Sequence, residues 1–169
     1  RDASGAICDQ YSNSYANQIR TIHIQNGGPL RARLIGIEES VGEVLVFLDS
    51  DDCLRKDALE KISECFCDKT CDMVLYNADH CEKFSSISVE QYLKDGQIFE
   101  KQSKAELYKR IICNDVPNAL WLKAIRTECA SFPEYFMDFR MKHGEDLLLS
   151  TCFITNCNKI VYLNEGLYH

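Results

Sequence analysis

The chain has 169 residues, 46% hydrophobic and 27% charged, with 26 acidic side chains against 19 basic ones and a formal net charge of −7. That length suits one domain able to bury a core, and the acidic balance argues against general nucleic-acid binding, which wants a basic face. The longest apolar run, VLVFL at 44–48, is far shorter than the roughly 20 residues of a membrane-spanning helix.

The opening RDASGAICDQ has no signal-peptide pattern. It begins on Arg1 rather than Met, so a piece of something longer is expected. SGAICDQYSNSY (4–15) carries Ile7, Cys8, Tyr11 and Tyr15 at helical spacing. IRTIHIQ (19–25) alternates as a strand, and NGGP (26–29) reads as a turn. Pro29 suits the first position of a helix running through LRARLIGIEESV to a stop at Gly42. EVLVFLD (43–49) is short and nearly all apolar, which predicts a central strand buried on both faces.

KDALEKISECF (56–66) is predicted as a helix and CDMVLYNAD (71–79) as a strand. The stretch from His80 to about Gln102 is polar and without clear pattern. SKAELYKRIIC (103–113) restarts with a capping box of Ser103 and Glu106. NALWLKAIRTECA (118–130) mixes aromatic with basic residues. GEDLLLSTCFITNC (144–157) predicts a helix with Glu145 and Asp146 at its start, and KIVYLNEGLYH closes as a strand plus tail. The alternation of helices and strands indicates an α/β domain, with no internal repeat, low-complexity segment or linker.

Ten cysteines raise the question of zinc or disulfides. No CxxC pair exists, and the spacings of CFCDKTC (65–71) are unlike those of zinc ligands. Cys113 and Cys152 lie within apolar helical patterns and read as small core hydrophobes. Reduced thiols in a cytosolic protein are the expectation.

VFLDSDD (46–52) sets three carboxylates in four positions at the end of an apolar run. Four readings compete. A solvated turn capping a helix needs only one such residue. A calcium loop finds Asp49, Asp51 and Glu60 at positions 1, 3 and 12, but Leu54 stands where glycine must make the turn. An aspartyl-nucleophile phosphatase wants its Asp-x-Asp near the start of the domain. The fourth is a divalent-metal site for a nucleotide diphosphate, since Mg²⁺ and Mn²⁺ prefer carboxylate oxygen and ligands bind beyond the carboxyl ends of α/β strands; taken alone, the stretch is only a weak signal for it.

The surroundings, QNGGPLRARLIGIEESVGEVLVFLDSDDCLRKDALEKI (25–62), closely resemble the inverting family 2 glycosyltransferases of the GT-A fold. In that family an N-G-G-x-x-x-A-R-N-x-G-I stretch precedes a D-S-D-D. DASGAICDQY (2–11) looks like the segment after the family's first aspartates, GEDLLL (144–149) like its E-D motif, and LYH (167–169) like its closing strand. Two departures stand out. Leu34 replaces an asparagine, and the family's opening strand, helix and strand, which hold the nucleobase, lie upstream of Asp2.

The resemblance implies a Rossmann-like GT-A sheet, mixed and mostly parallel, flanked by helices and lacking the first strands of the nucleotide-binding half. Residues 1–169 would be one partial catalytic domain, with weak or no catalysis on its own. The implied activity is transfer of a sugar, with inversion, from a nucleotide-diphosphate sugar (a UDP-sugar) to an acceptor hydroxyl in surface polysaccharide synthesis. The cofactor would be Mn²⁺ or Mg²⁺. The acceptor would be a saccharide or lipid-linked, and the place the cytoplasm, with membrane association through the acceptor or missing regions.

The roles implied follow the motifs. Asp51 is the direct metal ligand, Asp49 faces the ribose or a metal-bound water, and Asp52 assists the metal or caps the next helix. Asp146 is the general base, and Glu145 orients it or touches the acceptor. Arg33 lies near the diphosphate, with Asn26 and Gly27 on the same cofactor side, although the glycines also serve the turn. Trp121 stacks on an acceptor sugar or packs in the core. His169 is a weaker metal candidate; His23, His80 and His143 have no motif around them. Two rival functions are a non-catalytic α/β fragment or scaffold, and a metal-dependent phosphatase or nucleotidyltransferase.

Overall fold

One mixed sheet of five strands organises the chain, in a computed structural model that describes residues 2–79, 92–141 and 143–169. The strands are β1 (Val44–Val46), β2 (Met73–Ala78), β3 (Ile98–Phe99), β4 (Lys123–Arg126) and β5 (Ile160–Tyr168). The helices are α1 (Ser4–Ser14), α2 (Gly28–Glu38), α3 (Ala58–Phe66), α4 (Lys104–Ile112) and α5 (Glu145–Asn156). Three short 3₁₀ turns cover Leu120–Leu122, Thr127–Cys129 and Glu134–Asp138. None of the described helices is long and apolar enough to cross a membrane.

The spatial order is β1-β4-β2-β5-β3. β2 and β5 run parallel, with Val74 opposite Val161, while β1–β4, β2–β4 and β3–β5 are antiparallel. The sheet is therefore mixed, as expected, but mostly antiparallel rather than mostly parallel. Strand β4 causes this: it lies between β1 and β2 and opposes both.

Strand alternation divides the core in two. Met73 and Leu75 of β2, with Ile125 and Ile160, face Leu30 and Leu34 of α2, Leu107 of α4 and Leu149 and Phe153 of α5. Val74 and Tyr76 face the other way, packing with Ala124, Leu167 and the Ala58, Ile62 and Phe66 ridge of α3. Leu34 is fully buried. The position where the family carries asparagine is thus a packing position here, and a leucine there contributes roughly 1.5–3 kcal/mol of apolar burial.

Four expectations need correcting. β1 is an edge strand and half-buried, because only β4 pairs with it. Residues 19–25 form no strand: an alternating pattern needs a ladder partner to satisfy its backbone, and Ile19, Ile22 and Ile24 are exposed. Cys113 is exposed and Cys152 half-buried; among the described residues the buried thiols are Cys71, Cys129 and Cys157. The Ser103 capping box does not form. Ser103 Oγ accepts the Glu100 amide (2.9 Å), and Glu106 pairs with Arg110 (2.9 Å) instead of reaching back. His80 and most of the unpatterned middle lie outside the described residues.

Candidate active site

Three elements meet at one end of the sheet, and a single arginine joins them. α2 begins at the NGG turn, where Asn26 Oδ1 accepts the Gly28 amide (3.1 Å). Gly28 has φ 82°, a conformation that favours glycine. A Cβ on Gly27 would fall 2.2 Å from Arg31 Cδ. Leu30, Leu34 and Ile37 fix the buried face of the helix, which leaves Arg33 on its flank, aimed at the carboxylates.

α5 supplies two of those carboxylates. Gly144, at φ 87°, turns the chain into the helix, and Glu145 and Asp146 occupy its first turn, where negative charge suits the helix dipole. Leu149 and Phe153 anchor α5 in the core. Lys104 Nζ holds its far end by donating to the carbonyls of Ile154 (3.1 Å), Thr155 (3.0 Å) and Cys157 (2.7 Å).

Arg33 Nη1 donates to Asp146 Oδ1 at 2.7 Å and to Glu145 Oε1 at 3.2 Å, and its Nη2 reaches Asp49 Oδ1 at 3.3 Å. The arginine, Glu145 and Asp146 side chains are only 17%, 16% and 22% exposed, whereas Asp49 is 40% exposed. The bond to Asp146 is therefore the shortest and among the best shielded. Asp146 also accepts the Leu120 amide at Oδ2 (3.4 Å). Burial nevertheless dominates and pushes its carboxyl above the ordinary aspartate value, against the pull of Arg33.

The 49–52 loop is tied to the end of β5. Tyr168 Oη accepts the Asp49 amide (3.0 Å) and donates to Asp52 Oδ2 (2.8 Å). Burial, with Asp52 as a further cause, raises the phenol well above its usual value, so it remains a donor. Cys53 and His169 exchange backbone hydrogen bonds of 3.1 and 2.8 Å. Trp121 stacks on Tyr168 with centroids 4.5 Å apart. His169 Nδ1 faces the buried Asp79 carboxylate.

The structure thus brings Arg33, Asp49, Glu145 and Asp146 into direct contact, and joins Asp52 and Trp121 to them through Tyr168. Asp51 is exposed and has no side-chain partner among the described residues. Asn26 and Gly27 stay at the start of α2 and shape the turn. Among the described residues, no three His, Cys, Asp or Glu side chains converge as a metal-holding group. His23 bonds Asp9 at the surface (2.7 Å), away from this cluster.

Two cavities flank β1. One of about 220 Å³ is lined by Arg33, Gly36, Ile37 and residues 45–48, beside the carboxylates. Another of about 540 Å³ lies between β1 and α3, lined by Val44, Leu59, Ile62 and Phe66 among others. The second is larger but apolar and holds none of the candidate residues, so volume does not locate the chemistry.

Two further members of the candidate site lie outside the sequence motifs. Tyr168, inside LYH, carries no local signal of a site role. Lys123 is a single cation in the apolar run ALWLKAI, a signal for a buried and bonded charge; it is 1% exposed and donates to the Ala119 carbonyl at 2.6 Å.

Known proteins are similar to this chain in sequence and fold. The sequence profile described as Glycosyl transferase family 2 matches residues 1–128. The putative glycosyltransferase EpsH of Bacillus subtilis is 27% identical over 170 residues, covering 99% of this chain and 48% of EpsH. The poly(ribitol-phosphate) beta-N-acetylglucosaminyltransferase TarS of Staphylococcus aureus is 22% identical over 175 residues, covering 99% of this chain and 28% of TarS. The crystal structure of S. aureus TarS 1–349 in complex with UDP-GlcNAc superposes with a TM-score of 0.67 at 21% identity, over 99% of this chain and 45% of that one. This chain spans about half the length of these relatives or less. The fold is that of a GT-A glycosyltransferase, and the chain belongs to glycosyl transferase family 2.

Proposed function

We propose that the protein transfers a sugar from a UDP-sugar to an acceptor hydroxyl with inversion, in the synthesis of a surface polysaccharide. The observation that carries this is the convergence of Asp49, Glu145 and Asp146 on Arg33, which joins the donor-side loop to the acidic start of α5. The relatives' printed activities and the TarS complexes with UDP and UDP-GlcNAc support the donor class.

Asp146 takes the proton of the acceptor hydroxyl as its oxygen attacks the anomeric carbon, and the nucleoside diphosphate departs from the opposite face. A carboxyl raised by burial is a stronger base than an exposed aspartate, which suits this task. Glu145 shares the guanidinium and fixes where Asp146 points. Arg33, engaged by three carboxylates, serves as their orienting group in this reading rather than as a diphosphate contact. Trp121, braced by Tyr168, borders the acceptor side.

The donor set also fits a divalent cation. Asp51 has no side-chain partner among the described residues and is flanked by two further carboxylates, and Mg²⁺ or Mn²⁺ is ordinarily held by one or two protein carboxylates plus phosphate oxygens and water. Such an ion at Asp51, with Asp49 or Asp52, would neutralise charge on the departing diphosphate. The acceptor is a saccharide or lipid-linked saccharide, met on the cytoplasmic side where nucleotide sugars are made. Given the span of the relatives, weak turnover is expected from residues 1–169 alone.

The test is transfer by the intact protein, with Mn²⁺ titrated into UDP-GlcNAc and other UDP-sugars by calorimetry alongside. Metal-dependent UDP binding and a product of inverted anomeric configuration are expected. No heat with any nucleotide sugar would favour a scaffold instead, and phosphate release without acceptor would favour a phosphatase.

A further inference from the structure

Lys123 is the fully buried cation beneath this site, and the carboxylate chemistry does not explain it. Strand alternation puts it on the same face of β4 as Ile125, toward the layer that contains α2 and α5. Its Nζ donates to the carbonyls of Ala119 (2.6 Å) and Pro117 (3.4 Å). A second buried group grips the residue between them: Ser150 Oγ, on α5, donates to the Asn118 carbonyl at 2.6 Å. Three successive carbonyls of the strap 117–119 are therefore held from beneath.

The strap serves both halves of the site. Its next amide, Leu120, donates to Asp146 Oδ2. The residue after that, Trp121, stacks on Tyr168, which holds Asp49 and Asp52. We propose that Lys123 is a positioning residue for Asp146: its buried ammonium clasps the Pro117 and Ala119 carbonyls and so holds the Leu120 amide against the carboxylate. A neutral apolar side chain would fill the same space, and burying an ammonium is costly, so the cation needs a reason beyond packing. Burial pulls the Lys123 ammonium down to about 7 even with Asp146 acting to raise it. The groups facing Asp146 are Arg33 of α2, Glu145 of its own helix, the Leu120 amide and Lys123 of β4.

This inference rests on Asp146 being the base, and its test includes readouts that need no activity. In intact protein labelled with ¹³C at aspartate Cγ, the Asp146 carboxyl is followed against pH and assigned by its loss in D146N. In Lys123→Met the Asp146 titration is expected to move up by about half a unit or more, because the amide and the cation both favour the carboxylate. Its kcat is expected to fall on the order of tenfold or more, with the donor KM unchanged. S150A, which frees only the Asn118 carbonyl, should move the titration the same way by less.

An unchanged Asp146 titration in folded K123M overturns the proposal. Should K123M fail to fold, the wild-type protein decides: the Leu120 ¹⁵N amide resonance must follow the Asp146 titration, and an amide that stays still overturns the proposal. Absence of transfer by wild type would sink the functional reading, while the two resonance measurements would still decide this one.

Discussion

Asp146 and Asp51 are both aspartates in the same acidic cluster, and the fold treats them in opposite ways. Asp146 is 22% exposed, bonded to Arg33 at one oxygen and to the Leu120 amide at the other, with its carboxyl raised by burial. Asp51 is exposed and has no side-chain partner among the described residues. On the proposed reading, one cluster serves two tasks. A group that must accept a proton in one geometry is fixed and desolvated. A group that must meet an ion and a diphosphate is left open to both.

The largest effect should come from removing the fixed group. Asp146→Asn is expected to lower kcat by roughly 10²- to 10⁴-fold, the usual contribution of general acid–base catalysis. It should not lower the melting temperature at pH 7. The folded carboxyl sits above its unfolded value, so its contribution to stability is present in acid and lost as pH rises through the folded pKa. At neutral pH the ionised group is a net cost that the amide avoids. A clear fall in melting temperature for D146N would show that the Arg33 pairing outweighs burial, and would reverse half of the comparison.

Next is Arg33→Met, which strips the guanidinium from three carboxylates at once. After discounting for partial exposure, a loss of roughly 2 kcal/mol in unfolding free energy is expected from denaturant titration. The Asp146 titration should also move further up, since the opposing charge is gone. Asp51→Asn is expected to leave unfolding unchanged while weakening Mn²⁺-dependent UDP binding on the order of tenfold or more by calorimetry. An equal effect of D51N on folding would mean that Asp51 is held after all. The smallest change is Tyr168→Phe. It removes one hydroxyl between Asp49 and Asp52 and should lower stability by about 1 kcal/mol, with a higher donor KM, because only the open loop loses a tether.

Much of this site was legible in the sequence because its parts are local. The apolar spacing of Leu30, Leu34 and Ile37 defines α2 and hence where Arg33 can point, and Glu145 and Asp146 at a helix start follow from GED before an apolar run. What was not legible depends on partners distant in the chain. IRTIHIQ alternates like a strand, yet alternation cannot supply a ladder partner. EVLVFLD reads as central because it is apolar, while its edge position is set by β4, some 80 residues away. Lys123 is buried with its ammonium on the Pro117 and Ala119 carbonyls, and a strap that folds back over its own lysine is not readable from the apolar run ALWLKAI. Tyr168 becomes a site residue only when β5 is laid against the 49–52 loop.

Whether Asp146 receives the acceptor proton is read from the pH dependence of kcat at saturating donor. An acid limb is expected above the ordinary aspartate value of 3.8, because a protonated carboxyl cannot accept the proton, with a low, flat profile through that range in D146N. A D146N protein that keeps the wild-type rate, or keeps the same acid limb, would contradict that role.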